Sequence, residues 1–416
     1  MPMDTTQIFN TIEQWYAEHR IENVPYWITQ KYLYPKLDEL QTDLFTQEVA
    51  GESTEKRPIR YLKLGNGNIP VLMWSQMHGD EPTATRALLD IFSIMQNQKK
   101  TEIIQSIINT ITLYVIPMLN PDGAERFTRR TALSIDMNRD ALALRTPEAR
   151  ILKSVRDTYN TQWAYSLHDQ EPRYTAGGIG KAAGISLLAA ASDWDQSITE
   201  VRRDAMRLAS CVGDYVQMTL PDQVGKYDDA YEPRAFGDAL HTWGTRGVLI
   251  ESGYIPRDRY KEIIRKANAI AIIGSLYHLA RQELPTDASY HTIPLNRRYF
   301  AEYIFKNAAI SINGENAGVQ DAAFHLVHHP DKSTTTVRFK LALTELGDCS
   351  PFAASYIFDK SKIRINFIVD ASSTSGLPET DENGHCEIVE PASGKQITIT
   401  DGIPTVEPQD IFNLQI

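Results

Sequence analysis

Over the first two thirds of the chain, apolar runs typical of buried strands alternate with apolar stripes typical of helices. The segments that indicate strands are RPIRYLKLG, IPVLMWSQM, ITLYVIPML, WAYSLHD, GISLLAA and RGVLIES. The segments that indicate helices are TATRALLDIFSIMQNQ, PEARILKSVRDTY and a long amphipathic stretch from about Arg257 to Gln282. Such alternation predicts an α/β domain whose central mixed sheet is flanked by helices.

The pattern differs at the two ends of the chain. Residues from about 5 to 45 mix apolar and charged positions at helical spacing, so residues 1–55 are predicted to form an N-terminal helical cap of a catalytic domain at 56–284. A linker is predicted at 285–297, because the β-rich runs TTTVRFKLALTEL, RINFIVDAS and KQITITDG follow it. Residues 298–416 are therefore predicted to form a small, mostly-β, sandwich-like accessory domain, in which YFAEYIFKN is the longest helical candidate. The turn-forming sequence GNGN further predicts that the first two strand segments form a hairpin or lie side by side.

Composition excludes several classes of protein. The 416 residues are 42% hydrophobic and 23% charged, which is the mixture of an ordered globular protein. A net charge of -11 gives no electrostatic reason to bind nucleic acid or an anionic membrane, so neither partner is expected. The three cysteines lack a CxxC pair and are interpreted as free thiols. The N-terminus lacks the pattern of a signal peptide, which predicts a cytoplasmic location, or a periplasmic or secreted one if a leader was removed.

Three side chains suggest a metal site. His78 follows a strand segment in the sequence MHGDEP, and Glu81 stands three residues later, just before a helical segment. His168 ends the strand-like run WAYSLHD and is a candidate for the third ligand. Catalytic zinc needs about three nitrogen or oxygen ligands and one open position, so this set would suffice. Taken alone the signal is weak, because single histidines usually have structural roles and H-x-x-E occurs by chance.

The order of further motifs is more specific. After H-x-x-E come NPDG at Asn120–Gly123, RFTRRT at 126–131, DMNRD at 136–140, HDQ at 168–170 and IESG at 250–253. In this order the chain resembles the zinc carboxypeptidase family, the carboxypeptidase A-like metallopeptidases, over about residues 55–283. The resemblance implies a zinc carboxypeptidase-like fold and a zinc-dependent hydrolase acting on a C-terminal peptide or amide bond of a peptide or amidated amino-acid substrate.

The resemblance also implies roles for the metal site. It implies that His78, Glu81 and His168 bind one zinc ion per chain and that Glu251 is the general base. The residue chemistry agrees for Glu251, because a glutamate at the end of the apolar run GVLIE is costly to bury unless it faces a polar site. A carboxylate beside a zinc-bound water can take its proton.

Other roles concern the substrate. Arg129 matches the family arginine that stabilises the oxyanion, although Arg126 and Arg130 stand close to it. Asn138 and Arg139 match the pair that binds the free C-terminal carboxylate of the substrate, a task suited to the planar guanidinium group.

The tyrosine of the family's mobile loop corresponds here to Tyr227 or Tyr231. The spacing in this stretch departs from the family pattern, so either Phe236 or Asp238 could set the side-chain pocket. Two alternatives to a carboxypeptidase stay open: a zinc deacylase acting on N-acyl amino acids, and a catalytically inactive peptide-binding module on the same scaffold.

Overall fold

The architecture is taken from a computed structural model of the chain, which describes residues 4–40, 42–178, 180–359, 363–369, 377–380, 385–390 and 395–408. Its helices are α1 Thr5–His19, α2 Gln30–Asp38, α3 Thr83–Asn97, α4 Glu102–Thr110, α5 Pro121–Arg126, α6 Pro147–Thr158, α7 Glu200–Thr219, α8 Phe236–Thr242, α9 Glu262–Ala280 and α10 Ala288–Thr292, with a 3-10 turn at Met137–Arg139. Its strands are β1 Phe45–Glu52, β2 Pro58–Leu64, β3 Ile69–Trp74, β4 Ile111–Ile116, β5 Trp163–Asp169, β6 Thr175–Ala176, β7 Ile185–Leu188, β8 Val224–Lys226, β9 Arg246–Ser252, β10 Asn296–Arg297, β11 Phe300–Ile312, β12 Glu315–Asp331, β13 Thr336–Gly347, β14 Ala353–Asp359, β15 Arg364–Phe367, β16 Cys386–Glu390, β17 Lys395–Thr400 and β18 Ile403–Pro404.

The described residues divide into two compact units. The first is drawn from Met1–Gln170, Ala183–Gly253 and Tyr260–Asn296, and the second from Glu171–Ala182, Tyr254–Arg259 and Arg297–Ile416. The units therefore interleave along the chain, whereas the predicted domains followed one another. Inside the predicted linker, the chain forms α10 and β10.

The first unit is built on an eight-stranded sheet in the order β1-β2-β4-β3-β5-β9-β7-β8. Strands β3, β4, β5 and β9 pair in parallel, while β1 with β2, β2 with β4, and β7 with β9 are antiparallel. On one face of β3, Leu72 and Trp74 belong to a hydrophobic cluster that also contains residues of α6 and α8. On the other face of the strand, Val71 and Met73 are also fully buried. The predicted α/β fold with a central mixed sheet flanked by helices is confirmed.

Three local predictions were wrong. Strands β2 and β3 are not neighbours, because β4 lies between them and pairs with both. The GNGN turn between β2 and β3 instead packs against the backbone just before β4. A Cβ on Gly67 would lie 1.8 Å from the carbonyl carbon of Thr110, the residue that precedes β4. Phe45–Glu52, inside the predicted helical cap, is the edge strand β1 of the sheet. The long helix begins at Glu262 rather than near Arg257.

The second unit is mostly β, as predicted. Its main sheet has the order β13-β12-β11-β15-β16-β17-β18, and β14 also pairs with β11. The segment YFAEYIFKN belongs to β11, so its predicted helix is wrong; its first six residues from Phe300 are all buried and show no helical stripe. The Leu341 N–H donates to the Gly402 carbonyl at 2.6 Å, which links β13 to the turn before β18. Because the strands form one hydrogen-bonded path, the sandwich-like packing stays a prediction.

In the part of the chain that the structure describes, no helix is long and apolar enough to cross a membrane.

Candidate metal centre and active site

His78 and Glu81 are brought together by a tight turn after β3. Gly79 is needed in this turn because a Cβ there would lie 1.9 Å from the carbonyl carbon of Gly123. The Glu81 N–H donates to the His78 carbonyl at 3.2 Å, which closes the turn. As a result, the Glu81 carboxylate turns back to the imidazole, with Oε1 2.7 Å from His78 Nδ1.

His168 reaches the same point from the end of β5. Its Nδ1 lies 2.8 Å from Glu81 Oε2 and 3.2 Å from His78 Nδ1. One ligand atom from each of the three residues lies within 4.8 Å of the others, and all three residues are buried. Two imidazole nitrogens and a carboxylate that converge in this way form a donor set suited to zinc.

Among the three side chains, the negative charge of Glu81 fits a cation. Burial alone would raise the pKa of Glu81, but His78 and His168 outweigh it and hold this pKa well below its usual value. Burial lowers the pKa of His168. Burial opposes protonation of His78 as well, yet Glu81 and Asp136 raise its pKa to about 9. The Glu81 carboxylate is therefore ionised, as a ligand must be.

Asp136 and Arg129 form a second layer around this cluster. His78 Nε2 lies 3.1 Å from Asp136 Oδ1, a contact that directs the Nδ1 lone pair towards Glu81 and His168 when Nε2 carries the proton. The Arg129 guanidinium bonds Asp136 Oδ2 at 3.0 Å and Glu81 Oε1 at 3.1 Å. The side chain of Arg129 is 44% exposed, so its outer face can reach a substrate.

Glu251 stands on the strand next to His168. In the parallel pairing of β5 with β9, Glu251 is directly opposite His168. Burial raises the pKa of Glu251 to about 8, and the negative charge of Glu81 adds to the effect. A carboxyl group with a pKa in this range can both accept and return a proton near neutral pH.

Asn138 and Arg139 lie in the 3-10 turn that follows Asp136. The Asn138 side-chain oxygen accepts the Phe236 N–H at 2.9 Å and so joins this turn to the start of α8. Arg139 donates to the Asn138 carbonyl at 2.7 Å and forms a loose ion pair with Glu232 at 3.5 Å. Its side chain is 43% exposed, which leaves the guanidinium accessible.

The loop before α8 carries both candidate tyrosines. Tyr231 packs edge-on against Trp194 with ring centroids 5.1 Å apart, and the Tyr227 N–H donates to the Leu187 carbonyl. These contacts do not choose between the two tyrosines. Of the pocket candidates, Phe236 is fully buried in the core, which gives it a structural role. Burial raises the pKa of Asp238 to about 6, and its carboxylate accepts the Glu232 N–H at 3.1 Å.

Sequence reasoning assigned no role to Asp136 or Asp169. Asp136 is the first residue of the DMNRD motif, and its place two residues before Asn138 was the available signal. Asp169 follows His168 directly, and its carboxylate accepts the Thr83 hydroxyl at 2.5 Å. Asp136 contacts His78, 58 residues away along the chain, and Asp169 contacts Thr83, 86 residues away. Only the fold could identify these contacts.

Comparison with known proteins supports the resemblance. Residues 33–172 match the family model described as zinc carboxypeptidase. Carboxypeptidase SOL1 of Arabidopsis thaliana is 37% identical over 104 residues, which are 22% of this chain and 21% of that protein. Carboxypeptidase 2 of Trichophyton rubrum is 27% identical over 135 residues, or 30% of this chain and 24% of that protein.

Solved structures with some likeness include metallo-carboxypeptidases from Burkholderia cenocepacia and Pseudomonas aeruginosa. The first is 17% identical, with a TM-score of 0.48 and coverage of 61% of this chain and 68% of that one. The second is 15% identical, with a TM-score of 0.49 and coverage of 62% and 70%. The curated relatives are matched over only about a quarter of their length or less. The match of residues 33–172 to the zinc carboxypeptidase family confirms the predicted resemblance for the part of the chain that carries His78, Glu81 and His168.

Proposed function

We propose that this protein is a zinc-dependent metallocarboxypeptidase that hydrolyses a C-terminal peptide or amide bond. The observation that carries the proposal is the convergence of His78, Glu81 and His168 on one point, within 4.8 Å of one another. Arg129 lies on the same cluster, and Glu251 stands opposite His168 in the sheet. The site thus combines a ligand set, a cation and a candidate base.

Each side chain has a distinct task in the proposed reaction. Zinc held by His78, Glu81 and His168 would supply a Lewis acid that polarises the scissile carbonyl and lowers the pKa of a water. The Glu251 carboxylate takes a proton from the water whose oxygen attacks the carbonyl carbon. Arg129 donates to the oxyanion that forms on the carbonyl oxygen. As the carbon–nitrogen bond breaks, the Glu251 carboxyl returns the proton to the leaving amine.

Substrate placement is assigned to Asn138 and Arg139. An exposed guanidinium next to the 3-10 turn can bind the free carboxylate of a peptide through two hydrogen bonds. The loose ion pair of Arg139 with Glu232 leaves donors for this contact. A substrate bound there would be held by its C-terminus, which is the property that separates a carboxypeptidase from an endopeptidase.

The test is hydrolysis by the purified protein, followed by mass spectrometry of the products. We expect loss of one residue from the C-terminus of unblocked peptides, inhibition by a zinc chelator and recovery on adding zinc. His168→Ala should bind zinc far more weakly, whereas the exposed-histidine control His291→Ala should bind it normally. Release of acyl groups from N-acyl amino acids without peptide cleavage would favour the deacylase. Zinc binding without hydrolysis of either class would favour the inactive peptide-binding module.

A further inference from the structure

Lys261 is a buried cation near the ends of the catalytic strands, and the proposed reaction gives it no role. Only 2% of the residue is exposed. It stands immediately before α9 with φ of 55° and ψ of 37°, a left-handed conformation that is strained for a residue with a Cβ. A buried charge in a strained backbone position calls for an explanation in its contacts.

Two acceptors hold the Lys261 ammonium. Its Nζ donates to Asp169 Oδ2 and to the Ser252 carbonyl, both at 2.9 Å. Asp169 is the last residue of β5, and Ser252 is the last residue of β9. One side chain therefore joins the ends of two neighbouring parallel strands.

The positions of these acceptors relate them to the proposed active site. Asp169 pairs with Ser252 in the register of β5 and β9, directly after the pair of His168 with Glu251. Lys261 thus bridges the strands one residue beyond the metal ligand and the candidate base.

Asp169 also connects this bridge to the segment that carries Glu81. Its Oδ2 also accepts the Thr83 hydroxyl, two residues after Glu81 at the start of α3. In addition, the Asp169 backbone N–H donates to Glu81 Oε2 at 3.2 Å. Asp169 with Lys261 therefore contacts the segments that carry Glu81, His168 and Glu251.

We propose that Lys261 is a positioning residue that, with Asp169 and Thr83, fixes the separation between the metal ligands and the Glu251 carboxylate. For the base, this inference rests on the proposed function. Stability alone explains the pair poorly, because replacing a buried ion pair by apolar side chains is often neutral or stabilising. A cation that braces three active-site segments explains both the burial and the backbone strain.

The experiment compares Lys261→Met with Lys266→Met in the full-length protein. Both lysines lie at α9, but Lys266 pairs with Glu13 at the surface, and methionine adds no backbone strain that lysine lacks. We expect Lys261→Met to weaken zinc binding, measured by competition with a chelator, by about ten-fold or more. At saturating zinc its kcat should fall by about as much, with a smaller change in KM, while Lys266→Met keeps wild-type values.

Two further variants distinguish a positioning role of Lys261 from a loss of the folded structure. Lys261→Arg restores donors and should recover part of the zinc affinity and kcat. If Lys261 acts through Asp169, the double variant Lys261→Met/Asp169→Asn should be little worse than Asp169→Asn alone. A folded Lys261→Met protein with wild-type zinc affinity and kcat would overturn the proposal.

If Lys261→Met does not fold, Thr83→Val carries the test, because it removes one arm of the bridge while keeping the side-chain shape. A folded Thr83→Val protein with unchanged zinc affinity and kcat would then reject the bridge. If the wild-type protein hydrolyses no peptide, the proposed function fails, but the zinc competition still decides whether Lys261 positions the ligands.

Discussion

His168 and Glu251 lie directly opposite each other on the parallel strands β5 and β9. Paired residues on neighbouring strands point to the same face of the sheet, so the two side chains are presented side by side. Backbone hydrogen bonds of the sheet, rather than a loop, set their separation. If His168 is a metal ligand and Glu251 the base, as proposed, these rigid elements would hold the two groups at a fixed separation.

The proposed role of Glu251 predicts that replacing this carboxylate lowers kcat, whereas replacing the carboxylate of Glu283 does not. Glu251→Gln should keep zinc, because Glu251 is not among the three converging residues, but it removes the group proposed to accept the proton from water. We expect kcat to fall by about 10²- to 10⁴-fold with zinc content unchanged. Glu283→Gln, at a surface ion pair with Arg281, is the matched control and should be fully active. Full activity of Glu251→Gln would remove the base assignment.

The sequence predicted the strands that carry the site with high accuracy. WAYSLHD and RGVLIES coincide with β5 and β9 because buried parallel strands appear as short, nearly continuous apolar runs. The mixed sheet and the β-rich C-terminal region followed from the same patterns. The convergence of His78 with Glu81 could be anticipated because a three-residue spacing and Gly79 allow a tight turn.

Other features depend on contacts that no local pattern encodes. The chain returns through α3 and α4 to place β4 between β2 and β3. The short turn between β2 and β3 therefore led to the wrong prediction that these two strands are neighbours. The start of β11 is buried without alternation, which made it look helical. Lys261 and Asp169 are 92 residues apart, and neither belongs to a motif that names the other.

Truncation should be poorly tolerated because the second unit includes two segments from the middle of the chain. Tyr254 is 4% exposed and belongs to the same hydrophobic cluster as Ala182 and Phe300. The Tyr254 hydroxyl donates to Glu302 at 2.8 Å. A fragment of residues 1–296 would keep Ala182 but would leave Tyr254 without Phe300 and Glu302.

We therefore expect this fragment to be cleaved rapidly by proteases within 171–182 and 254–259 and to melt below the full-length protein. Tyr254→Phe in the full-length chain, which removes only the hydroxyl, is the control and should resist cleavage. A fragment as resistant as the intact protein would show that the middle segments fold without β11–β18.

Asp238 predicts a pH dependence of stability. Burial raises its pKa to about 6 in the folded protein, against about 3.9 in an unfolded chain. The folded state then binds more protons, so this contribution is fully present below about pH 4 and is lost as the pH rises through about 6. The loss amounts to about 3 kcal/mol of unfolding free energy.

Asp238→Asn keeps an acceptor for the Glu232 N–H but cannot ionise. Its free energy of unfolding relative to wild type, from urea titrations, should therefore increase between about pH 4 and pH 7. Asp195→Asn at an exposed position should show no such trend. A constant difference between Asp238→Asn and wild type across this range would contradict the burial of the charge.

The assignment of Arg139 separates a carboxypeptidase from a deacylase or an endopeptidase. If its guanidinium binds the free carboxylate of the substrate, that contact places the scissile bond over the metal ligands. A peptide with an amidated C-terminus lacks the charge and leaves the guanidinium without its partner. Loss of such a contact costs about 2 to 5 kcal/mol, or roughly thirty-fold to several thousand-fold in kcat/KM.

The measurement compares kcat/KM for a peptide and its amidated twin with wild-type protein, Arg139→Ala and Arg203→Ala. Arg203 forms a surface ion pair with Asp287 and serves as the matched arginine control. Wild type and Arg203→Ala should both strongly prefer the free acid, whereas Arg139→Ala should lose most of this preference because it cleaves the free acid slowly. Equal cleavage of both peptides by the wild-type protein would reject recognition of a C-terminal carboxylate, while the ligand set of His78, Glu81 and His168 would still support a zinc hydrolase.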